Sequence, residues 1–299
     1  MMRTLQFPTS LSGRLAFRKM NGLGNDFVVI DARHDPVHLT SEQAARIGDR
    51  HTGIGCDQTI LIERSSSPDA DAFMRIYNRT GGEVGACGNA TRCVADILMS
   101  EKGTSDAVIE TQAGFLSAWR ADDPNQVTID MGRPKFRWDQ IPLAEEFPDT
   151  RMIDVKVGPM EAPVLHSPSA VNVGNPHAIF WVEDLETHDL SRIGPLLEHH
   201  PMFPEGANIS LAHVTDHDAV TIRVWERGVG LTQACGTAAC AVGVAAHRKG
   251  LTGNRVTVTL PGGPLEIEWG DEDGRILMTG PFSYDFEGEI GPELLSGAA

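Results

Sequence analysis

RIYNRTGGEVGACGNATRCVA, from Arg75 to Ala95, and RVWERGVGLTQACGTAACAVG, from Arg223 to Gly243, are one pattern written twice. At a constant separation of 148 residues, without a gap, Arg75 falls on Arg223, Arg79 on Arg227, Gly82 on Gly230, Cys87 on Cys235, Gly88 on Gly236 and Ala90 on Ala238. Asn78 falls on Glu226 and Asn89 on Thr237, polar on polar. Short apolar strands match by chance. An A-C-G with glycine and polar neighbours, twelve residues after an arginine, does not recur easily.

Each copy reads strand, glycine loop, helix. Arg75-Ile76-Tyr77 and Thr221 to Trp225 carry the β-branched and aromatic residues that suit a pleated surface. Helical spacing follows each cysteine, and Lys102-Gly103 and Lys249-Gly250 close the runs. Cys87 and Cys235 therefore stand at helix starts, where free N–H groups and the dipole favour a thiolate or a bound carboxylate. Thiol pKa values near neutrality are the expectation. The repeat reaches further back: Gly24-Asn25 answers Gly174-Asn175, and Gln58 answers Asn208, both 150 residues on. This predicts two homologous domains facing across a pseudo-two-fold axis, with the two cysteines on opposite walls of one cleft. The expected division is residues 14–131 with about 281–299, then 132–280, after a short extension, 1–13. Proline-rich 132–150 reads as the connector.

Along the chain, two strands are expected in 14–31, a helix over 41–48 capped by Thr40 or Ser41, and strands near 107–110, 114–119, 126–131 and 152–157. A helix is expected over 189–198, and SYDFEGEI (283–290) reads as a strand returning to the first domain. The glycines of GLGND are not a dinucleotide fingerprint, because an apolar strand follows where a helix is required.

Composition narrows the classes. The 299 residues suit two domains. With 25 Lys and Arg against 41 Asp and Glu, a net charge of −16 speaks against nucleic acid as a partner. No apolar run nears the ~18 residues of a membrane span. Five cysteines without framework spacing suit a reducing cytoplasm.

The paired cysteines decide the chemistry. Cys56, Cys93 and Cys240 read as small core residues. Cys87 and Cys235 do not, because polar, glycine-rich surroundings repeat around them. No C-x-x-C or C-x-x-H offers zinc its ligands, and no metal is expected. A cysteine protease uses one thiol, and redox cysteines usually come as C-x-x-C. HVTDHD (213–218) reads as a solvated loop entering a strand. Pyridoxal phosphate is disfavoured, since all five lysines lie outside the paired motifs. What remains is proton transfer at a carbon from both faces, for which one thiolate and one thiol suffice.

GLGNDFVVID, GIGCDQ, IYN, EVGACGNATRC, VGNPH, Asn208 and ERGVGLTQACGTAACA together resemble, in order, the motif set of diaminopimelate epimerases, over nearly the whole chain after residue 14. The resemblance implies an α/β chain of α+β type with two pseudo-symmetric domains, each a mostly antiparallel sheet wrapped on a central helix. It implies a cofactor-independent isomerase, a homodimer, acting on LL- and meso-diaminopimelate in lysine and cell-wall precursor synthesis. Cys87 and Cys235 would be the acid–base pair. Gly88, Asn89, Gly236 and Thr237 would hold the carboxylate at the reacting centre, with Asn25 and Gln58 lining it. Asn78, Asn175, Asn208 and Arg227 would hold the distal end, and His177 and Glu226 would orient or activate the thiols. Gly85-Ala86, Ala90, Ala238 and Arg79 depart from the family's usual residues. A proline-type racemase shares the two-cysteine plan but needs no distal site. A thiol redox protein and a non-catalytic amino-acid binder are the rivals from other classes.

Overall fold

The computed structural model describes residues 14–159, 161, 163–270 and 274–296. The extension expected over 1–13, and 297–299 at the far end, lie outside the described residues. Packing divides the chain into two units. One runs to Ile129 and resumes at Gly280; the other is Asp130–Thr279.

The first unit contains β1 (Leu15–Gly22), β2 (Asn25–Asp31), α1 (Ser41–Gly48), β3 (Gln58–Glu63), β4 (Ala72–Asn78), β5 (Glu83–Val84), α2 (Gly88–Lys102), β6 (Asp106–Thr111), β7 (Gly114–Arg120) and β8 (Gln126–Asp130). The strand expected at the C-terminus, β19 (Ser283–Ile290), pairs antiparallel with β1. The sheet runs β19, β1, β2, β3, β4, β6, β7, β8, with β5 as a hairpin partner of β4. Among these pairings β2/β3 and β4/β6 are parallel. The runs that build β2 and β3, Phe27 to Ile30 and Ile60 to Ile62, are continuously apolar and buried, as parallel pairs covered on both faces require. Thr40 caps α1 in a reciprocal box with Gln43.

The second unit contains β9 (Lys156–Val157), β10 (Leu165–His166), β11 (Ser169–Asn172), β12 (Pro176–Trp181), α3 (Leu190–Glu198), β13 (Asn208–Asp216), β14 (Ala219–Glu226), β15 (Gly230–Thr232), α4 (Gly236–Arg248), β16 (Arg255–Leu260), β17 (Gly263–Trp269) and β18 (Ile276–Pro281). Its sheet repeats the plan: β12/β13 and β14/β16 are parallel, and β15 is a hairpin partner of β14. Even the registers repeat. Phe27 faces Gln58, and His177 faces Asn208, each 150 residues later. Tyr77 faces Glu83, and Trp225 faces Leu231, each 148 residues later.

Both central helices are buried nearly all round, which suits a helix enclosed by a sheet. In α4 this demands small residues. A Cβ on Gly243 would lie 2.8 Å from Ile267 Cγ2 and 3.2 Å from Val256 Cγ1, so β16 and β17 press on the helix backbone there.

Two expectations fail locally. The strand expected over 152–157 is reduced to Lys156–Val157, paired only with β10. The 132–150 stretch is no simple connector. Lys135 bridges to Asn172, and buried Ile141 and Leu143 pack into the second unit's core with Phe180, Ile209 and Leu211. Its prolines and charges masked that apolar pair.

Candidate active site

Cys87 and Cys235 are the N-cap residues of α2 and α4. Both have extended backbone, with φ of −148° and −136°. A strand, a turn and a short return strand deliver each chain to the helix start. The next residues, Gly88-Asn89 and Gly236-Thr237, carry the first free N–H groups of each helix, which point at whatever occupies its N-terminus.

The surroundings of the two thiols differ. Cys87 is half-buried, and its Sγ lies 3.9 Å from Asn25 Oδ1. Asn25 Nδ2 donates to Asp57 Oδ2 at 3.1 Å. Behind it, Asp57 and Asp26 are gripped by Arg50 at 2.8 and 2.7 Å, and buried Lys19 donates to Asp26 at 2.5 Å and to Gly55 O. Burial pushes the Asp26 carboxyl up, but hydrogen bonds from Arg50 and Lys19 win and hold it far below the carboxylate range. Two cations and two anions so brace the floor of the Cys87 site.

Cys235 is only 5% exposed. Its Sγ is 3.5 Å from Thr237 Oγ1, and the Glu226 carboxyl lies beside it. Burial, then the Glu226 charge, raises this thiol well above its ordinary range; Thr237 and the Ala238 N–H oppose them and lose. The expectation of a near-neutral thiol at this helix start is therefore corrected. A helix terminus contributes a fraction of a charge, and desolvation with a neighbouring carboxylate outweighs it. Burial raises Glu226 too, against the opposing pull of Thr232 and Cys235. Of the other cysteines, burial raises Cys56, and pushes Cys93 up to about 12.

The carboxamides are not equally free. Gln58 Oε1 is buried with no partner, an acceptor awaiting a donor. Asn89 Oδ1 accepts from Arg92 at 2.8 Å. Asn78 Oδ1 accepts from Thr80 N, Thr80 Oγ1 and Gly82 N within 3.0 Å, so it braces its own turn. Buried Asn208 donates to Pro176 O and accepts from Arg227 N, both at 3.0 Å. Arg227 is exposed, and its Nη1 donates to Glu205 O at 2.9 Å. His177 is fully buried, and its Nε2 is 2.8 Å from Asn175 Oδ1. Burial, then the Arg227 charge, lowers its pKa to about 3, so the ring is neutral. The structure thus puts His177 on Asn175, and Glu226 and Thr237 on the Cys235 thiol.

Sequence reading missed Asp57, Asp26, Lys19 and Arg50, which brace Asn25, although Asp57 adjoins Gln58 in GIGCDQ. It also read HVTDHD as a loop, where His213 to Asp216 end β13 and a two-residue turn follows. Among the described residues no group of three or more His, Cys, Asp and Glu could hold a metal ion, and no helix is long and apolar enough to cross a membrane.

Comparison with known proteins adds four findings. The sequence profile of the diaminopimelate epimerase family matches residues 17–137 and 169–284. A diaminopimelate epimerase of Rhodopseudomonas palustris (strain TIE-1) is 51% identical over 290 residues, covering 97% of this chain and 98% of the relative. That of Afipia carboxidovorans is also 51% identical, over 284 residues, covering 95% and 98%. Among solved structures, a Bacillus anthracis phenazine biosynthesis protein of the PhzF family superposes with a TM-score of 0.64 at 18% identity, covering 93% of this chain and 99% of that one. At that identity the likeness extends to the fold.

Proposed function

The chain belongs to the diaminopimelate epimerase family and is an isomerase, and from that premise we propose that Cys87 and Cys235 exchange the α-proton of diaminopimelate. One observation carries the reading: each cysteine stands at the N-cap position of a helix after strand pairings of the same register, 148 residues apart. Inverting a carbon requires a base on one face and an acid on the other, and turnover exchanges their roles. Cys235 rests as the thiol, because burial and Glu226 disfavour its thiolate. Either thiol must therefore lose its proton before it can act as the base, and Cys87 is the less enclosed of the two. When Cys235 has given its proton to the substrate, Glu226 is the neighbour placed to hold a proton for it.

Removing an α-proton pushes negative charge into the adjacent carboxylate. The N–H groups of Gly88, Asn89, Gly236 and Thr237 are suited to receive that charge, and are fixed in advance by the helices. Asn25 and Gln58 line the same centre. Asn78, Asn175, Asn208 and Arg227 serve the distal amino-acid end, Asn208 through its hold on the Arg227 backbone. His177, neutral and turned to Asn175, acts by fixing that carboxamide. The same reading places the enzyme in the cytoplasm as a homodimer, without a cofactor, in lysine and cell-wall precursor synthesis.

Incubation with LL-diaminopimelate in deuterium oxide tests it. The meso isomer should form with one deuterium at the inverted α-carbon, and proline should take up none. Absence of deuterium from diaminopimelate would sink the reading, and uptake by proline instead would favour a proline-type racemase.

A further inference from the structure

We propose that Glu198 is a positioning residue for the reaction: it pins both ends of the Glu226-Arg227 pair and so aims the Glu226 carboxyl at Cys235. The inference rests on the roles given to Glu226 and Arg227 above. Glu198 is the last residue of α3 and is 5% exposed. A carboxylate at a helix C-terminus opposes the helix dipole, and its burial costs further free energy. Stability alone would place an apolar residue there. The two oxygens are instead each committed. Oε2 accepts from Trp225 Nε1 at 2.7 Å, and Oε1 accepts from Gly228 N at 2.8 Å. Those donors flank Glu226 and Arg227 in the chain. One rigid carboxylate therefore fixes the residue before the pair and the residue after it.

The rest of α3 supports the same clamp. Gly194 is one turn before Glu198, and a Cβ there would lie 2.5 Å from Trp225 Cδ2. The indole thus lies flat on the helix backbone while Glu198 fixes the direction of its N–H. Gly228 has φ +74°, and Val229 N closes the turn onto Glu226 O at 3.1 Å.

The first unit shows why a residue outside the turn is needed. There the matching turn is braced by the side chain of Asn78 itself, which accepts from Thr80 and Gly82. Glu226 occupies the matching position, but its carboxyl faces Thr232 and Cys235. A side chain turned toward a thiol cannot also brace its own turn, and Glu198 does so in its place. Near the aligned position α1 ends in Gly48 and Asp49, and the Asp49 carboxylate is spent on His51 and Thr52.

Glu198→Gln tests the assignment. The amide keeps the size but presents one acceptor and one donor, so one of the two N–H groups loses its partner. Three quantities are read: folding by circular dichroism, kcat and KM for diaminopimelate, and the pH midpoint of Cys235 alkylation mapped by peptide mass. The variant should fold and lose at least tenfold in kcat. The alkylation midpoint should move to lower pH, because the Glu226 charge that holds the thiol up is no longer fixed beside it. Glu226→Gln should give the same shift, and adding Glu198→Gln to it should shift the midpoint no further. A purely structural Glu198 would lower stability and leave the midpoint where it was. A wild-type midpoint and kcat in Glu198→Gln overturn the proposal, as does a second shift in the double variant. If Glu198→Gln does not fold, Trp225→Phe removes one donor, keeps a ring on Gly194, and carries the same expectations. If the wild-type enzyme puts no deuterium into diaminopimelate, the functional reading fails instead, and the alkylation midpoints still judge the clamp.

Discussion

Asn25 is held between Asp57 and Cys87 in one orientation. Asp57 accepts its Nδ2 at 3.1 Å, and an acceptor-only carboxylate leaves Oδ1 as the atom facing Sγ at 3.9 Å. An oxygen beside the sulfur favours S–H over the thiolate, and an N–H would do the reverse. Asp57→Asn can donate to Asn25 Oδ1 and let the carboxamide turn over. Removing the Asp57 charge acts in the same direction. The Cys87 alkylation midpoint should then fall by about one pH unit, since a hydrogen bond of ~1 kcal/mol is close to one unit of pKa. An unchanged midpoint in a folded variant would mean that Asp57 does not govern this thiol.

Arg227→Lys should weaken use of diaminopimelate. The guanidinium can grip a carboxylate through two parallel bonds while Nη1 stays on Glu205 O. An ammonium is a point charge and cannot do both. A loss of about 1–3 kcal/mol in transition-state binding, or roughly 5- to 150-fold in kcat/KM, is expected, with KM carrying much of it. Steady-state kinetics with both isomers give the measurement, and an unaltered kcat/KM would remove Arg227 from the substrate's path.

The repeat made much of this legible. A matched A-C-G told of a strand, a turn and a helix start in each half, and both cysteines stand at the N-cap positions of their helices. Thr40, offered with Ser41 as the N-cap, announced α1, and SYDFEGEI announced the strand that pairs with β1. What sequence could not show is burial. The two cysteines read as equivalent, yet Cys235 is enclosed beside Glu226 and Cys87 is half-open beside Asn25. Glu198 and Asp57 were invisible for a related reason. A glutamate at a helix end and an aspartate after a glycine turn read as solvated charges until the chain folds N–H groups onto them.

Stability should depend on pH through His177. Its ordinary pKa near 6.5 falls to about 3 in the fold, chiefly by burial. Above ~6.5 both folded and unfolded states keep the ring neutral, and its full contribution is present. Between ~6.5 and about 3 the unfolded chain binds a proton that the folded one refuses, so stability falls as pH falls, by up to about 1.4 kcal/mol per unit. His177→Gln should flatten this dependence in urea unfolding between pH 7 and 4.5. Parallel curves for variant and wild type would contradict a neutral buried ring.

Gly243→Ala should destabilise despite the better helix propensity of alanine. Propensity offers about 1 kcal/mol. The new methyl meets Ile267 Cγ2 at 2.8 Å and its Cβ at 3.0 Å, on a β-branched side chain with little room to turn. Overpacking of this kind costs about 1–3 kcal/mol, so the net change is a loss, read as a lower Tm. A Tm at or above wild type would show that β17 yields easily to α4.

Cys87→Ser and Cys235→Ser should each fold and each lose epimerisation, by roughly 10²- to 10⁴-fold if proton transfer by the thiol is what is removed. A hydroxyl is a much weaker acid than a thiol, so the altered face can neither take nor give a proton at neutral pH. The face with the remaining cysteine still can. Each variant should therefore exchange the α-proton of one stereoisomer with deuterium oxide while returning it uninverted, and the two variants should do so for opposite isomers. Cys235 is held as a thiol by burial and Glu226, so Cys87→Ser leaves an enzyme whose one reacting thiol must first surrender its proton, and its exchange should rise as pH rises. Proton NMR of both isomers against pH reads exchange and inversion together. Turnover near wild type in either variant, or exchange of the same isomer by both, would end the two-thiol mechanism.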